Sequence, residues 1–148
     1  MKPGTVFRWR EFAFPKYGGE LKARWFIYLG DTGPLSSPVI AYICTTTTSL
    51  DDFKPGEKRA SHRCLLLKKT NYPFFDEDCI LDYDEEPYQV ENKSLENNPN
   101  IEIKGELSHE TLKIIYYGIW KSNHYSARIV IDIHASLNRI GIFGLRKP

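Results

Sequence analysis

Apolar and polar positions along this chain recur mostly at the short period of strands. Residues 6–9 (VFRW) are rich in β-branched and aromatic side chains, and Pro15 closes the stretch that follows. Residues 25–29 (WFIYL) are apolar at every position, which predicts a strand covered on both faces. The segment DTGPLSSP at 31–38 is turn chemistry, punctuated by Gly33-Pro34. Residues 39–48 (VIAYICTTTT) predict a further strand, whose threonine tail suits a strand end. Two more strands are expected at 63–68 (RCLLLK) and 78–83 (DCILDY), on either side of the aromatic turn NYPFF. ENKSLENNPN, at 91–100, reads as a polar loop.

One segment has the helical period. Leu112, Ile115, Tyr116 and Ile119 repeat at i, i+3, i+4 and i+7 and define one apolar face. Ser108 is a good N-cap, and Glu110 in the first turn complements the helix dipole. Gly105 before it and Ser122-Asn123 after it bracket a helix near residues 108–121. Beyond it, Ala127, Ile129, Ile131 and Ile133 alternate with Arg128, Val130 and Asp132, which predicts a C-terminal strand with one buried face. Many short strands with one late helix give a mainly β fold, a small, partly open barrel capped by a helix and extended by a C-terminal strand.

Length and composition narrow the class. The 148 residues suit a single domain with its own core, and 41% hydrophobic, 14% aromatic and 26% charged residues are globular proportions. No apolar run approaches the ~20 residues of a membrane span, and the charged N-terminus lacks the apolar region of a signal peptide. Cys44, Cys64 and Cys79 show no paired spacing, so reduced thiols in a cytoplasmic protein are expected, with no zinc site. The overall charge of +1 conceals an asymmetry. Residues 1–75 hold twelve Lys/Arg against six Asp/Glu, residues 76–110 two against twelve, and residues 111–148 six against one. Such a division can orient a charged partner.

Candidate chemistry is sparse. There is no glycine-rich phosphate loop, no HExxH and no GxSxG. His62, His109, His124 and His134 are scattered and read as ordinary surface or structural residues. Two features remain: Arg24, which follows the loop GGELKA, and the hydroxyl run 45–49 at a strand end. A guanidinium fork and a hydroxyl suit recognition of a phosphodiester.

The order of these features resembles the MazF/PemK/Kid family of toxins from bacterial toxin–antitoxin pairs. Gly4 precedes the first strand, residues 18–24 form a G-x-E loop leading to arginine, Cys44-Thr45-Thr46 ends the third strand, and Gly105-Glu106-Leu107 precedes a helix. The resemblance covers roughly residues 3–121, leaving 122–148 as a C-terminal extension. Trp25 stands where the family's arginine is usually followed by proline.

The resemblance implies an SH3-like barrel with a helical cap, usually a homodimer, and metal-independent cleavage of single-stranded RNA without a cofactor. It implies catalytic roles for Arg24 and for Thr46 or Thr45. Glu20 matches the loop glutamate and is expected to position the arginine; with Lys22 and Trp25 it completes the expected substrate-binding set. A cognate antitoxin is the expected protein partner, and no membrane is involved. The alternative is a non-catalytic barrel module that binds a protein, as gyrase-inhibiting relatives do, or nucleic acid. A third is an interaction domain whose acidic segment docks a basic partner.

Overall fold

The computed structural model describes residues 1–12 and 21–148. Among the described residues seven strands form one curled, half-barrel sheet: β1 (Thr5–Phe12), β2 (Lys22–Asp31), β3 (Ile40–Thr47), β4 (Cys64–Leu67), β5 (Cys79–Asp82), β6 (Tyr88–Glu91) and β7 (Ile101–Glu106). The order is β4-β5-β3-β2-β1-β7, with every pairing antiparallel. β3 changes partner along one edge, meeting β6 through Ile40–Ile43 and β5 through Thr46 and Thr47. Such a switch of partner lets a sheet turn a corner. The fold is mainly β, as the short apolar runs predict, and five of the six expected strands are present. β6 and β7 are additional to that expectation.

The uninterrupted apolar run of β2 has the predicted cause. Ile27 and Leu29 join Val6, Tyr42 and Cys44 in a core that packs on the helices. Phe26 and Tyr28 point the other way, into a second cluster with Phe7, Trp9, Phe12, Ile43 and Tyr88 inside the curl. Side chains two apart share a face, so a strand buried on both sides has no position left for a polar residue.

Two helices, α1 (His109–Trp120) and α2 (Ala127–Arg139), follow β7. In α1 the predicted stripe is buried, and the Ser108 hydroxyl accepts a hydrogen bond from the Thr111 amide at 3.2 Å. The expected C-terminal strand is instead α2. Val130, which that strand would expose, is 2% exposed, whereas Ile131, which it would bury, is 48% exposed. Ile129, Val130, Ile133 and Leu137 form a helical stripe, and the Ser126 hydroxyl accepts from the Ile129 amide. Tertiary burial of that stripe outweighs the β-preference of the isoleucines. α2 is fixed to the sheet by the Tyr42 hydroxyl, which donates to Asp132 at 2.6 Å, and by the Asp31 amide, which donates to Ser136 at 3.0 Å. Among the described residues no helix is long and apolar enough to cross a membrane.

Candidate functional site

Arg24 and Trp25 sit at the start of β2, where the strand leaves the buried core and both side chains become half-buried. Across β3 the register places Thr45 opposite Phe26, on the face of the inner aromatic cluster. Thr46 therefore takes the other face, opposite Leu81 of β5 and in line with Cys44. Beyond Thr47 the chain turns, with the Ser49 amide donating to the Thr47 hydroxyl at 3.1 Å.

Residues 75–79, leading into β5, close the third side. Phe75 is buried and its ring centre lies 5.6 Å from that of Trp25. Asp78 accepts from the Lys69 amide at 2.7 Å, and the Lys69 ammonium donates to the Asp76 carbonyl at 3.1 Å. These bonds hold the bend in place and leave the Asp76 and Glu77 side chains exposed.

The three segments enclose a cleft of about 290 Å³. It is lined by residues 23–25, by Thr46, Thr47, Thr48 and Ser49, and by Phe75, Asp76, Glu77 and Cys79. Burial pushes the Cys79 thiol up to about 11, against the opposing effect of its hydrogen bond with Thr46. The thiol is thus neutral near pH 7, and the charged residues bordering the cleft are Arg24, Asp76 and Glu77. This set can grip an anion through the guanidinium, offer hydroxyl donors beside it and withdraw a proton with a carboxylate.

Trp25 and Thr46 thus share one sheet face at the cleft, and Arg24, which is opposite Trp9 in register, borders the same cleft from the other face of β2. Thr45 and Lys22 do not line it, and Glu20 lies outside the described residues. Among the lining residues that sequence reasoning did not single out, Asp76 and Glu77 are the charged ones. Their signal is positional: a short turn before a strand that must pair with the end of β3 brings its side chains to that strand end.

Other polar clusters serve the fold. Asp82, with its side chain 3% exposed, lies 2.7 Å from the His62 ring nitrogen and 3.3 Å from the Arg59 guanidinium, and it accepts the Asp84 amide at 2.9 Å. His134 is buried, with Nε2 2.9 Å from the Leu145 carbonyl. None of the four histidines lines the cleft. A larger hollow of about 510 Å³ is bordered by Met1, Lys2, Thr5, Asn92, Leu95, Glu96 and Ile103; it has one hydroxyl residue against the four of the cleft, and its Lys2 ammonium pairs with Glu106 at 2.7 Å. Among the described residues no three His, Cys, Asp or Glu side chains converge as a metal site would require. Compared with known proteins, the chain matches no family model, no curated protein and no solved structure.

Proposed function

We propose that this protein is a metal-independent endoribonuclease of the MazF/PemK kind, cleaving single-stranded RNA in the cleft between β2, β3 and residues 75–79. The observation that carries this reading is the convergence of Arg24, Thr46 and two carboxylates on one cavity. The Asp76 or Glu77 carboxylate takes the proton of the ribose 2′-OH, and that oxygen attacks phosphorus. The bond from phosphorus to the 5′-oxygen breaks, and the departing oxygen takes a proton from solvent or from the carboxylic acid just formed. Arg24 neutralises the non-bridging oxygens as charge builds on the phosphorane, and Thr46 donates a further hydrogen bond. The products are a 2′,3′-cyclic phosphate and a 5′-hydroxyl. A cognate antitoxin, a homodimeric state and a cytoplasmic place of action belong to the same proposal.

The purified protein, with EDTA present, should cut a mixed-sequence single-stranded RNA into discrete fragments with those ends. Arg24→Ala should lower the rate by about 10²–10³, the cost of removing a preorganised donor, while circular dichroism stays unchanged. Intact RNA at high protein concentration, or full activity in the variant, refutes the assignment. One observation favours a second reading: Asp76 and Glu77 give the cleft more negative than positive charge. A non-catalytic module that binds a basic protein segment would use that balance, and intact RNA in the same assay turns the assignment toward it.

A further inference from the structure

The sheet face that carries Trp25 continues beyond the cleft. Trp25 is directly opposite Arg8 on β1, and Arg8 is directly opposite Glu102 on β7. These three residues form a row across adjacent strands, roughly 4.8 Å per step. Arg10 and Lys104, each two positions along its strand, complete a compact group on that face.

Its charges are arranged unequally. One carboxylate, Glu102, is shared by Arg8 at 3.4 Å, Arg10 at 3.4 Å and Lys104 at 3.1 Å. The hydrogen bond from Lys104, with the charges of Lys104, Arg8 and Arg10, holds the Glu102 carboxyl below the usual carboxylate range. The group therefore carries two positive charges in excess, and its cations keep 30–49% of their side-chain surface exposed. The Lys104 ammonium also sits 5.5 Å from the centre of the Trp25 ring, over the indole that lines the cleft. Cations next to an aromatic platform, on a surface contiguous with the cleft, are the elements that track a single strand.

We propose that this strip is the path of single-stranded RNA out of the cleft, which rests on the function proposed above. Arg8, Arg10 and Lys104 bind the phosphates beyond the scissile one. Lys104 leaves the Trp25 ring for a phosphate and uncovers the indole for a base. Glu102 holds the three cations in the free protein and competes with the RNA for them.

The test is binding of a short fluorescent 2′-O-methyl RNA, which lacks the attacking hydroxyl and so reports binding apart from cleavage. Affinity is measured by anisotropy over a salt series. Each phosphate contact on a single strand contributes a slope of about −0.7 in log K against log salt. The triple variant Arg8→Gln/Arg10→Gln/Lys104→Gln should lose about 2 from the slope, and Lys104→Gln alone about 0.7. Glu102→Gln should tighten binding several-fold, a sign opposite to that of a structural ion pair. Failure of the wild type to bind, an unchanged slope in the triple variant, or weaker binding by Glu102→Gln overturns the strip. If the slopes behave as stated while unmodified RNA stays intact, the strip stands and the nuclease reading falls.

Discussion

Replacing Gly30 by alanine tests the packing of α2 on β2. A Cβ added at Gly30 would lie 2.8 Å from the Ser136 hydroxyl oxygen, 2.9 Å from the Ser136 Cβ and 3.2 Å from the Ile133 Cα. The last two atoms move only with the helix backbone. The hydroxyl is itself engaged, accepting from the Asp31 amide at 3.0 Å and donating to the Asp132 carbonyl at 2.9 Å. The helix must therefore lift or rotate. Overpacking of this kind costs typically 1–3 kcal/mol, offset by about 0.4–1 kcal/mol from the stiffer unfolded chain. A net loss of about 1–2 kcal/mol lowers the melting temperature by roughly 2–8 °C in a domain of this size. Guanidinium unfolding should show a lower midpoint at unchanged slope. Ser136→Gly removes both Ser136 atoms, so the two substitutions should be less than additive in a double-mutant cycle. A Gly30→Ala protein as stable as the wild type refutes this packing, and with it the close seat of α2.

Further outcomes follow from the register and from the thiols. Thr46→Val should lower RNA cleavage by about 10²-fold, whereas Thr45→Val, on the face shared with Phe26 and outside the cleft lining, should leave it within a few-fold; the reverse order in a cleavage-rate assay overturns the role assigned to Thr46. Cys64 is exposed while Cys44 and Cys79 are buried, so iodoacetamide should label one thiol in the folded protein and three in denaturant. Burial, with the charges of Asp82 and Asp84, raises the Cys64 thiol, so its labelling rate should keep climbing above the pH at which a free cysteine levels off. Because burial holds Cys79 protonated up to about 11, its contribution to stability is complete below about pH 8.5. It is lost as pH rises from there through about 11, visible as a falling denaturation midpoint.

How far the fold was legible depended on how locally each element is specified. β2 and α1 carry their own signals, a run buried on both faces and a capped amphipathic stripe, and both were readable. β7 was not, although Ile101 and Ile103 alternate with Glu102 and Lys104 in the period of a strand. Gly105 inside it reads as a helix-bracketing glycine, yet the Phe74 ring occupies the place a side chain there would take. That contact is tertiary and invisible in the local pattern. α2 reads as a strand locally because Ile129, Ile131 and Ile133 alternate within a window too short to separate periods of 2 and 3.6. Extending the window to Leu137 decides it, since Ile129, Val130, Ile133 and Leu137 share a face only in a helix.

The candidate site shows the same division between local and tertiary information, and it changes the meaning of the acidic segment. Along the chain, residues 76–86 are a block of seven carboxylates that would repel a phosphate backbone as a unit. Folding disperses that unit. Asp78 binds the Lys69 amide, Asp82 is buried against His62 and Arg59, and Asp84 accepts the Arg63 amide at 2.9 Å. Only Asp76 and Glu77 from that block line the cleft. Two carboxylates beside one guanidinium weaken a site built only to hold phosphate, but a base is what 2′-OH cleavage needs close to its phosphate ligand. In the proposed reading the electrostatic deficit is made good outside the cleft, where Arg8, Arg10 and Lys104 outnumber Glu102 beside Trp25. Attraction of the strand and activation of its hydroxyl then fall to different segments of the chain. Raising the salt concentration should accordingly weaken binding while leaving the rate at saturating RNA nearly unchanged.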